Sequence, residues 1–146
     1  SRWFANTQDD RIEVEVARGL GLPTLDVLES VLHVLTPIRN TCAHHARLWN
    51  RSFTLSLPHI KRIRERLVHP DAPGKRAHLL FNVLVVLGAL MAAINPQSGW
   101  SRRLLALIDT LNDAQRHAMG FPDDWRTRPP WAILAELPLP NPAISP

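Results

Sequence analysis

The sequence contains one long apolar stretch, Leu79–Ile94, which carries no charged residue and is interrupted by the polar Asn82. A helix that is apolar on all sides must be buried, either at the centre of a protein or in a membrane. A membrane-spanning helix needs about 20 apolar residues, and this stretch is shorter. It therefore predicts a helix at the centre of a folded domain and no membrane association.

The composition is typical of one folded domain covering residues 1–146. Hydrophobic residues make up 45% of the chain, which argues against general disorder. The single cysteine, Cys42, excludes an intrachain disulfide and a zinc site built from cysteines, as expected of a cytoplasmic protein. The formal net charge of +4 gives a mild preference for polyanions such as nucleic acids.

The two ends of the chain give further expectations. Residues Ser1–Phe4 lack the apolar stretch of a signal peptide. Because the sequence starts with Ser1 and not with Met, we expect it to be a fragment of a longer protein. Residues 136–146 are rich in proline and predict an irregular tail.

Helical periodicity, punctuated by proline and glycine, predicts an all-α bundle of about five helices. Thr24 is the expected N-cap of a helix that either kinks at Pro37 or restarts there, and that continues to about Asn50. The other helices are predicted at Arg11–Gly19, Pro58–Val68, Arg76–Ile94 and Ser98–Met119, the last followed by Gly120. On this last helix one apolar stripe is expected, formed by Trp100, Leu104, Leu107, Leu111, Ala114 and Ala118.

The segment Arg39–Arg51 has the sequence RNTCAHHARLWNR and predicts two helix faces, because each helical residue advances by about 100°. The first face is a mostly apolar seam directed toward the core, formed by Val31, Leu35, Ile38, Cys42, His45 and Trp49. The nearly opposite face is polar and carries Asn40, His44, Arg47 and Arg51, with Arg39 beside it. His45 is thus predicted to be buried and His44 to be exposed.

The residues of the polar face suit the cleavage of RNA without a metal ion. An unperturbed imidazole has a pKa of about 6.5, so a histidine such as His44 can exchange protons at neutral pH. An arginine such as Arg39 offers fixed positive charge in a fork that matches phosphate. Asn40 precedes His44 by one helical turn, so its amide can orient the imidazole or a phosphate oxygen.

The string RNTCAHH resembles the signature of the HEPN ribonuclease superfamily, in which an arginine, followed by a polar residue, is separated from a histidine by four to six positions. Here four residues lie between Arg39 and His44, and Asn40 is the polar one. The longer string RNTCAHHARLWNR is similar to the hallmark of the Abi-like (abortive infection) family of bacterial phage-defence proteins. The flanking strings WFAN (Trp3–Asn6) and MGFPDDW (Met119–Trp125) resemble that family too.

The resemblance implies a HEPN-like helical bundle with endoribonuclease activity. Arg39 and His44 match the catalytic pair, and Asn40 matches the supporting polar position. The resemblance also implies a homodimer whose two motifs face each other in a composite active site. Since Abi-like proteins generally carry a further N-terminal region, it implies as well that residues 1–146 are the C-terminal part of a longer protein. An inhibitory RNA or a protein antitoxin is expected to hold the activity in check.

Other basic residues are candidates for binding RNA. Arg47 and Arg51 fit that role, but a solvated helix face explains them equally well. The same alternatives hold for Lys61 and Arg62 on the next predicted helix. We expect no metal ion and no other cofactor, because no pair of histidines has a convincing ligand spacing.

Two non-catalytic functions compete with the nuclease hypothesis. The first is an RNA-binding module that uses the same basic stripe. The second is a dimerisation domain in which Asn40 and His44 form hydrogen bonds across the interface.

Overall fold

A computed structural model of the protein describes residues 10–49, 51–53, 57–58 and 60–132, and it is an all-α bundle with no strand among these residues. The α-helices are α1 (Asp10–Gly19), α2 (Leu25–Ala43), α3 (Leu80–Ile94), α4 (Trp100–Asp109) and α5 (Asp113–Ala118). The described residues also include short 3₁₀ helices at Lys61–Arg66, Pro73–His78 and Trp125–Thr127. The predicted fold class is confirmed, and the proline-rich tail lies outside the described residues.

The helix α3 is the centre of the bundle, as its apolar sequence predicts. Its N-terminal half is almost completely buried; Phe81, Val85 and Val86 are each no more than 1% exposed. One core cluster contains Phe81 together with Ile38 of α2 and Ile108 of α4. A second core cluster contains Val86, which lies there with buried residues of α1 and of the N-terminal half of α2. Both parts of the core therefore depend on α3.

The polar residue within α3, Asn82, is also buried and is satisfied by the main chain of Val68. Its Oδ1 accepts a hydrogen bond from the Val68 N–H at 2.8 Å, and its Nδ2 donates to the Val68 carbonyl at 3.0 Å. A buried amide is tolerated when its donors and acceptors are paired. Asn82 thus attaches the segment after the first 3₁₀ helix to the central helix.

The helix α2 begins where the sequence predicts, because the Thr24 hydroxyl accepts a hydrogen bond from the Val27 N–H. The helix continues through Pro37 without restarting. Two threonine hydroxyls bond to carbonyls one turn earlier, Thr36 to Leu32 and Thr41 to Pro37. The buried stripe of α2 comprises Leu28, Val31, Val34, Ile38 and Thr41.

Besides α2, whose end is described below, three predicted helices are wrong in part. The α-helix predicted at Arg76–Ile94 begins only at Leu80, after the 3₁₀ helix Pro73–His78. The segment predicted as the helix Pro58–Val68 forms only the 3₁₀ helix Lys61–Arg66, since so short a segment gains little as an isolated α-helix. The predicted helix Ser98–Met119 is divided into α4 and α5, because Asn112 and Gln115 form a capping box that starts a new helix. Leu107, which the predicted apolar stripe included, is 63% exposed.

The chain after α5 returns to the N-terminal end of α3. Gly120 has a φ of +86°, as expected for a glycine just beyond a helix. The carbonyl of Met119 accepts a hydrogen bond from the Phe81 N–H at 2.9 Å. Phe121 then packs edge-to-face against Phe81, with ring centroids 4.9 Å apart.

None of the helices among the described residues is both long enough and apolar enough to cross a bilayer.

Replacing Asn82 by leucine is expected to lower the free energy of unfolding by about 2–6 kcal/mol. The substitution leaves the N–H and the carbonyl of Val68 buried without these partners, at about 1–3 kcal/mol for each group. Urea denaturation would measure the change. The control, Leu107→Ala on the surface of α4, should stay within about 0.5 kcal/mol of the wild type. An Asn82→Leu variant as stable as that control would show that the contact does not hold the fold together.

Candidate functional site

The C-terminal end of α2 lies at Ala43, so the prediction that this helix reaches Asn50 is wrong. Two main-chain hydrogen bonds close the helix: the His45 N–H donates to the Cys42 carbonyl, and the Ala46 N–H donates to the Thr41 carbonyl, both at 3.0 Å. This pair of bonds is the Schellman motif, in which one residue must adopt the left-handed conformation. Here that residue is His45, with a φ of +53°.

The chain gains contacts with the core after it leaves the helical path at the end of α2. Residues 42–47 are all exposed. By turning, the chain brings Leu48 against the core cluster and buries Phe53 within it. The Phe53 N–H also donates to the His78 carbonyl at 2.9 Å, just before α3. Tertiary contacts therefore outweigh the helical pattern of the sequence.

The predicted apolar seam fails beyond Ile38 for the same reason. Cys42, His45 and Trp49 were expected to face the core, and all three are exposed. The buried position in the last turn is instead Thr41. His44 is exposed, as the sequence predicts.

Asn40 and His44 line one shallow concavity of about 390 Å³, together with Arg51. His44 is the C-cap of α2, and its N–H donates to the Asn40 carbonyl at 3.0 Å, which preserves the spacing of one helical turn between the two side chains. Arg51 reaches the concavity from the loop and not from a helix. Thr41 and Phe53 form part of its floor.

Arg39, at the neighbouring position of α2, is exposed and is not among the residues that line this concavity. Its Nη1 donates to the Asn40 Oδ1 at 3.0 Å. The amide oxygen of Asn40 is thus engaged by the guanidinium, and the amide nitrogen remains to donate to a ligand. The hydrogen bond couples the two residues of the RN pair.

The surroundings of the concavity are cationic. From Ser30 to Arg64 the sequence contains no aspartate or glutamate, and none of the residues lining the concavity is acidic. Within the described part of the chain, no ion pair involves Arg39, Arg47 or Arg51. The arginines near the C-terminus differ in this respect: each is paired with a carboxylate, in the pairs Arg116–Asp113, Arg126–Asp109 and Arg128–Asp124.

The remaining predicted RNA-binding residues lie outside the concavity. The Cζ atom of Arg47 is 5.8 Å from the centroid of the Trp49 ring, a distance that permits a cation–π interaction. Arg62 lies beside Gly21, just before the start of α2, and Lys61 is next to it in sequence. Because α2 has 19 residues and is therefore about 27 Å long, these two side chains are near the opposite end of that helix from His44.

Metal ligands were also sought in the site. Among the residues that the structure describes, no group of three or more His, Cys, Asp or Glu side chains is close enough to hold a metal ion. Cys42 is a free, exposed thiol.

The concavity has the groups needed to bind a phosphodiester. Guanidinium forks and an amide nitrogen can bind phosphate oxygens, and an exposed imidazole can transfer protons. Sequence reasoning identified Asn40, His44 and Arg51 but placed them on one continuous helix. The sequence signal for the end of α2 is His45, which sequence reasoning overlooked. Histidine is among the residues enriched in the left-handed conformation that ends a helix.

A family model described as Abi-like protein matches residues 1–50, about a third of the chain. The matched region contains the RNTCAHH string and all of α1 and α2, and it supports the resemblance to the Abi-like family. The comparison with curated proteins and the comparison with solved structures gave no match.

Replacing His45 by glycine is expected to raise the free energy of unfolding by about 0.5–1 kcal/mol, because glycine adopts a positive φ without a steric penalty. Urea denaturation would measure the gain. If His45 belonged to a helix that continued to Asn50, the same substitution would instead cost about 0.3–0.5 kcal/mol, the difference in helix propensity between histidine and glycine. The sign of the change therefore tests the end of α2, and Ala46→Gly at the next position is the matched control.

Proposed function

We propose that the protein is a metal-independent endoribonuclease of a bacterial abortive-infection system, of the HEPN type. The observation that carries the proposal is the concavity shared by Asn40, His44 and Arg51, which has no acidic residue in its lining. Arg39 does not line it but is hydrogen-bonded to Asn40. The match to the Abi-like family model supports the role in phage defence.

In the proposed reaction the 2′-OH of a ribose attacks the adjacent phosphorus, and the bond from phosphorus to the 5′-oxygen of the next nucleotide breaks. The products are a 2′,3′-cyclic phosphate and a free 5′-OH. His44 takes the proton of the 2′-OH as general base, and the leaving 5′-oxygen receives a proton. No redox partner or other co-reactant is needed.

Arg39, Arg51 and Asn40 have electrostatic and positioning roles in this proposal. The two guanidinium groups stabilise the charge that develops on the phosphate oxygens, which is usually the largest contribution to such catalysis. Asn40, whose oxygen is held by Arg39, donates its amide N–H to a phosphate oxygen. The end of α2 holds the main chain of His44 one helical turn from Asn40.

The proposal includes a homodimer, in which the site of one copy faces that of the other. A single imidazole supplies one acid or base at a time, and the second copy would supply the other proton-transfer group for the same phosphodiester. An enzyme that cuts cellular RNA acts in the cytoplasm and must be restrained, so an inhibitory RNA or a protein antitoxin is part of the proposal.

Replacing His44 by alanine is expected to lower the rate of RNA cleavage by about 10²- to 10⁴-fold, the contribution typical of a general acid or base. The assay uses labelled RNA in the presence of EDTA and identifies the ends of the products. The matched control is His33→Ala, since His33 is an exposed histidine on the same helix, earlier in α2. That variant should cleave at the wild-type rate.

Cleavage that persists in His44→Ala would overturn the catalytic assignment. Products that end in a 3′-phosphate or a 3′-hydroxyl from the start of the reaction would overturn attack by the 2′-OH. A wild-type protein that binds RNA without cutting it would favour the second candidate, a non-catalytic RNA-binding module. The unpaired cationic surface around the concavity supports binding in either case.

Replacing Arg51 by alanine is expected to weaken the binding of a single-stranded tetranucleotide and to reduce its salt dependence. Each lost phosphate contact lowers the slope of log K against log salt by about 0.7 for single strands. Arg62→Ala is the control, because Arg62 is near the other end of α2 and a tetranucleotide in the concavity would not reach it. Affinity measured by fluorescence anisotropy at several salt concentrations gives both slopes. Equal losses in the two variants would contradict a phosphate site in the concavity.

A further inference from the structure

Trp49 is a large aromatic residue that stays exposed beside the candidate site. It retains 41% of its accessible surface, whereas Trp125 and Trp131 are 6% and 2% exposed in the core. Exposing an indole to water is unfavourable when a buried alternative exists. The neighbouring Leu48 takes such an alternative and packs against the core cluster. The chain thus buries Leu48 and directs Trp49 outward.

One side of the exposed ring is occupied by an arginine. The Cζ atom of Arg47 is 5.8 Å from the centroid of the indole, and Arg47 is itself exposed. Among the described residues no carboxylate pairs with this guanidinium. The pair is therefore an aromatic surface with an unneutralised positive charge, the combination with which single-stranded nucleic acids are bound.

The pair also lies close to the concavity along the chain. Trp49 precedes Arg51 by two residues, so their Cα atoms are within about 7 Å of each other. A nucleotide whose phosphate contacts Arg51 and His44 would have its own base, or that of its neighbour, within reach of the indole. Phosphate binding and base stacking can thus involve one short stretch of the same strand.

We propose that Trp49, with Arg47, is a stacking platform for an unpaired base next to the phosphate that is cut, and that the substrate is single-stranded RNA or an RNA loop. In a duplex both faces of a base are covered by its neighbours, so a paired base cannot stack on a protein ring without leaving the helix. This inference rests on the proposed nuclease function, since it specifies the substrate class of the same site.

The test measures binding separately from cleavage. A fluorescent 2′-O-methyl RNA octanucleotide has no 2′-OH nucleophile and stays intact, so anisotropy in EDTA reports affinity alone. Trp49→Ala is expected to weaken binding of the single strand by about 5- to 150-fold, the range found for aromatic residues that stack on bases. Trp49→Phe, which keeps a smaller ring, should lose much less. Binding of the same octanucleotide paired with its complement should change less than twofold in both variants.

Leu107→Ala is the matched control, because Leu107 is an exposed apolar residue outside the site. It should leave both affinities unchanged. A second readout is the tryptophan emission of the protein. Binding of the single strand should quench it in the wild type, and the quenching should be largely lost in Trp49→Phe. Thermal melting of each variant verifies that it is folded.

The outcomes separate the platform from the nuclease. If Trp49→Ala binds the single strand within twofold of the wild type, the stacking platform is wrong. The nuclease proposal would still stand in that case, provided that the wild type cleaves RNA. If Trp49→Ala loses affinity but the wild type never cleaves RNA, the platform stands and the nuclease fails. A wild type that binds no RNA overturns both. A Trp49→Ala variant that changes its oligomeric state without changing RNA affinity would assign the ring to a contact between copies and overturn the platform.

Discussion

The burial of α3 is the constraint on which the rest of the structure depends. A helix without a polar face can be stable only when other elements surround it. Two main-chain hydrogen bonds attach other segments to the N-terminal end of α3. One runs from the Phe53 N–H to the His78 carbonyl, and the other from the Phe81 N–H to the Met119 carbonyl. Asn82 adds a third attachment through Val68. The loop that carries Arg51 ends in one of these attachments, so the central helix also positions the candidate site.

The candidate site combines a helix end with a loop, and the turn between them is the decisive local feature. The bonds that close α2 place His44 at the cap and force His45 into a left-handed conformation. A non-glycine residue in that conformation costs about 1–2 kcal/mol, which the packing of Leu48 and Phe53 after the turn offsets. Asn40 and His44 keep their helical spacing, and Arg51 returns to them from the other side of the turn.

The distribution of charge around His44 differs from that near the C-terminus of the chain. Near the C-terminus, arginines and carboxylates are paired and contribute to the cohesion of the surface. Around His44 the arginines have no carboxylate partners among the described residues, and Arg39 and Arg47 contact an amide and an indole instead. A fixed cationic surface without its own counter-charges attracts anions. This asymmetry supports a phosphate ligand more directly than the net charge of the chain does.

The sequence alone determined the helical class, the burial of α3, the start of α2 at Thr24 and the exposure of His44. These features depend on apolar periodicity and on capping residues, which act over one or two helical turns. Only the tertiary structure decided that α2 ends at Ala43, that Trp49 is exposed next to Arg47, and that Arg62 is far from His44 while Arg51 is near it. The physical reason is a comparison of free energies. A helix continues only while its next residues are more stable in the helix than in an alternative conformation that packs against the core. For Leu48 and Phe53 that alternative is packing in the core around α3. The residues near Leu48 in the sequence do not show that this core lies within its reach.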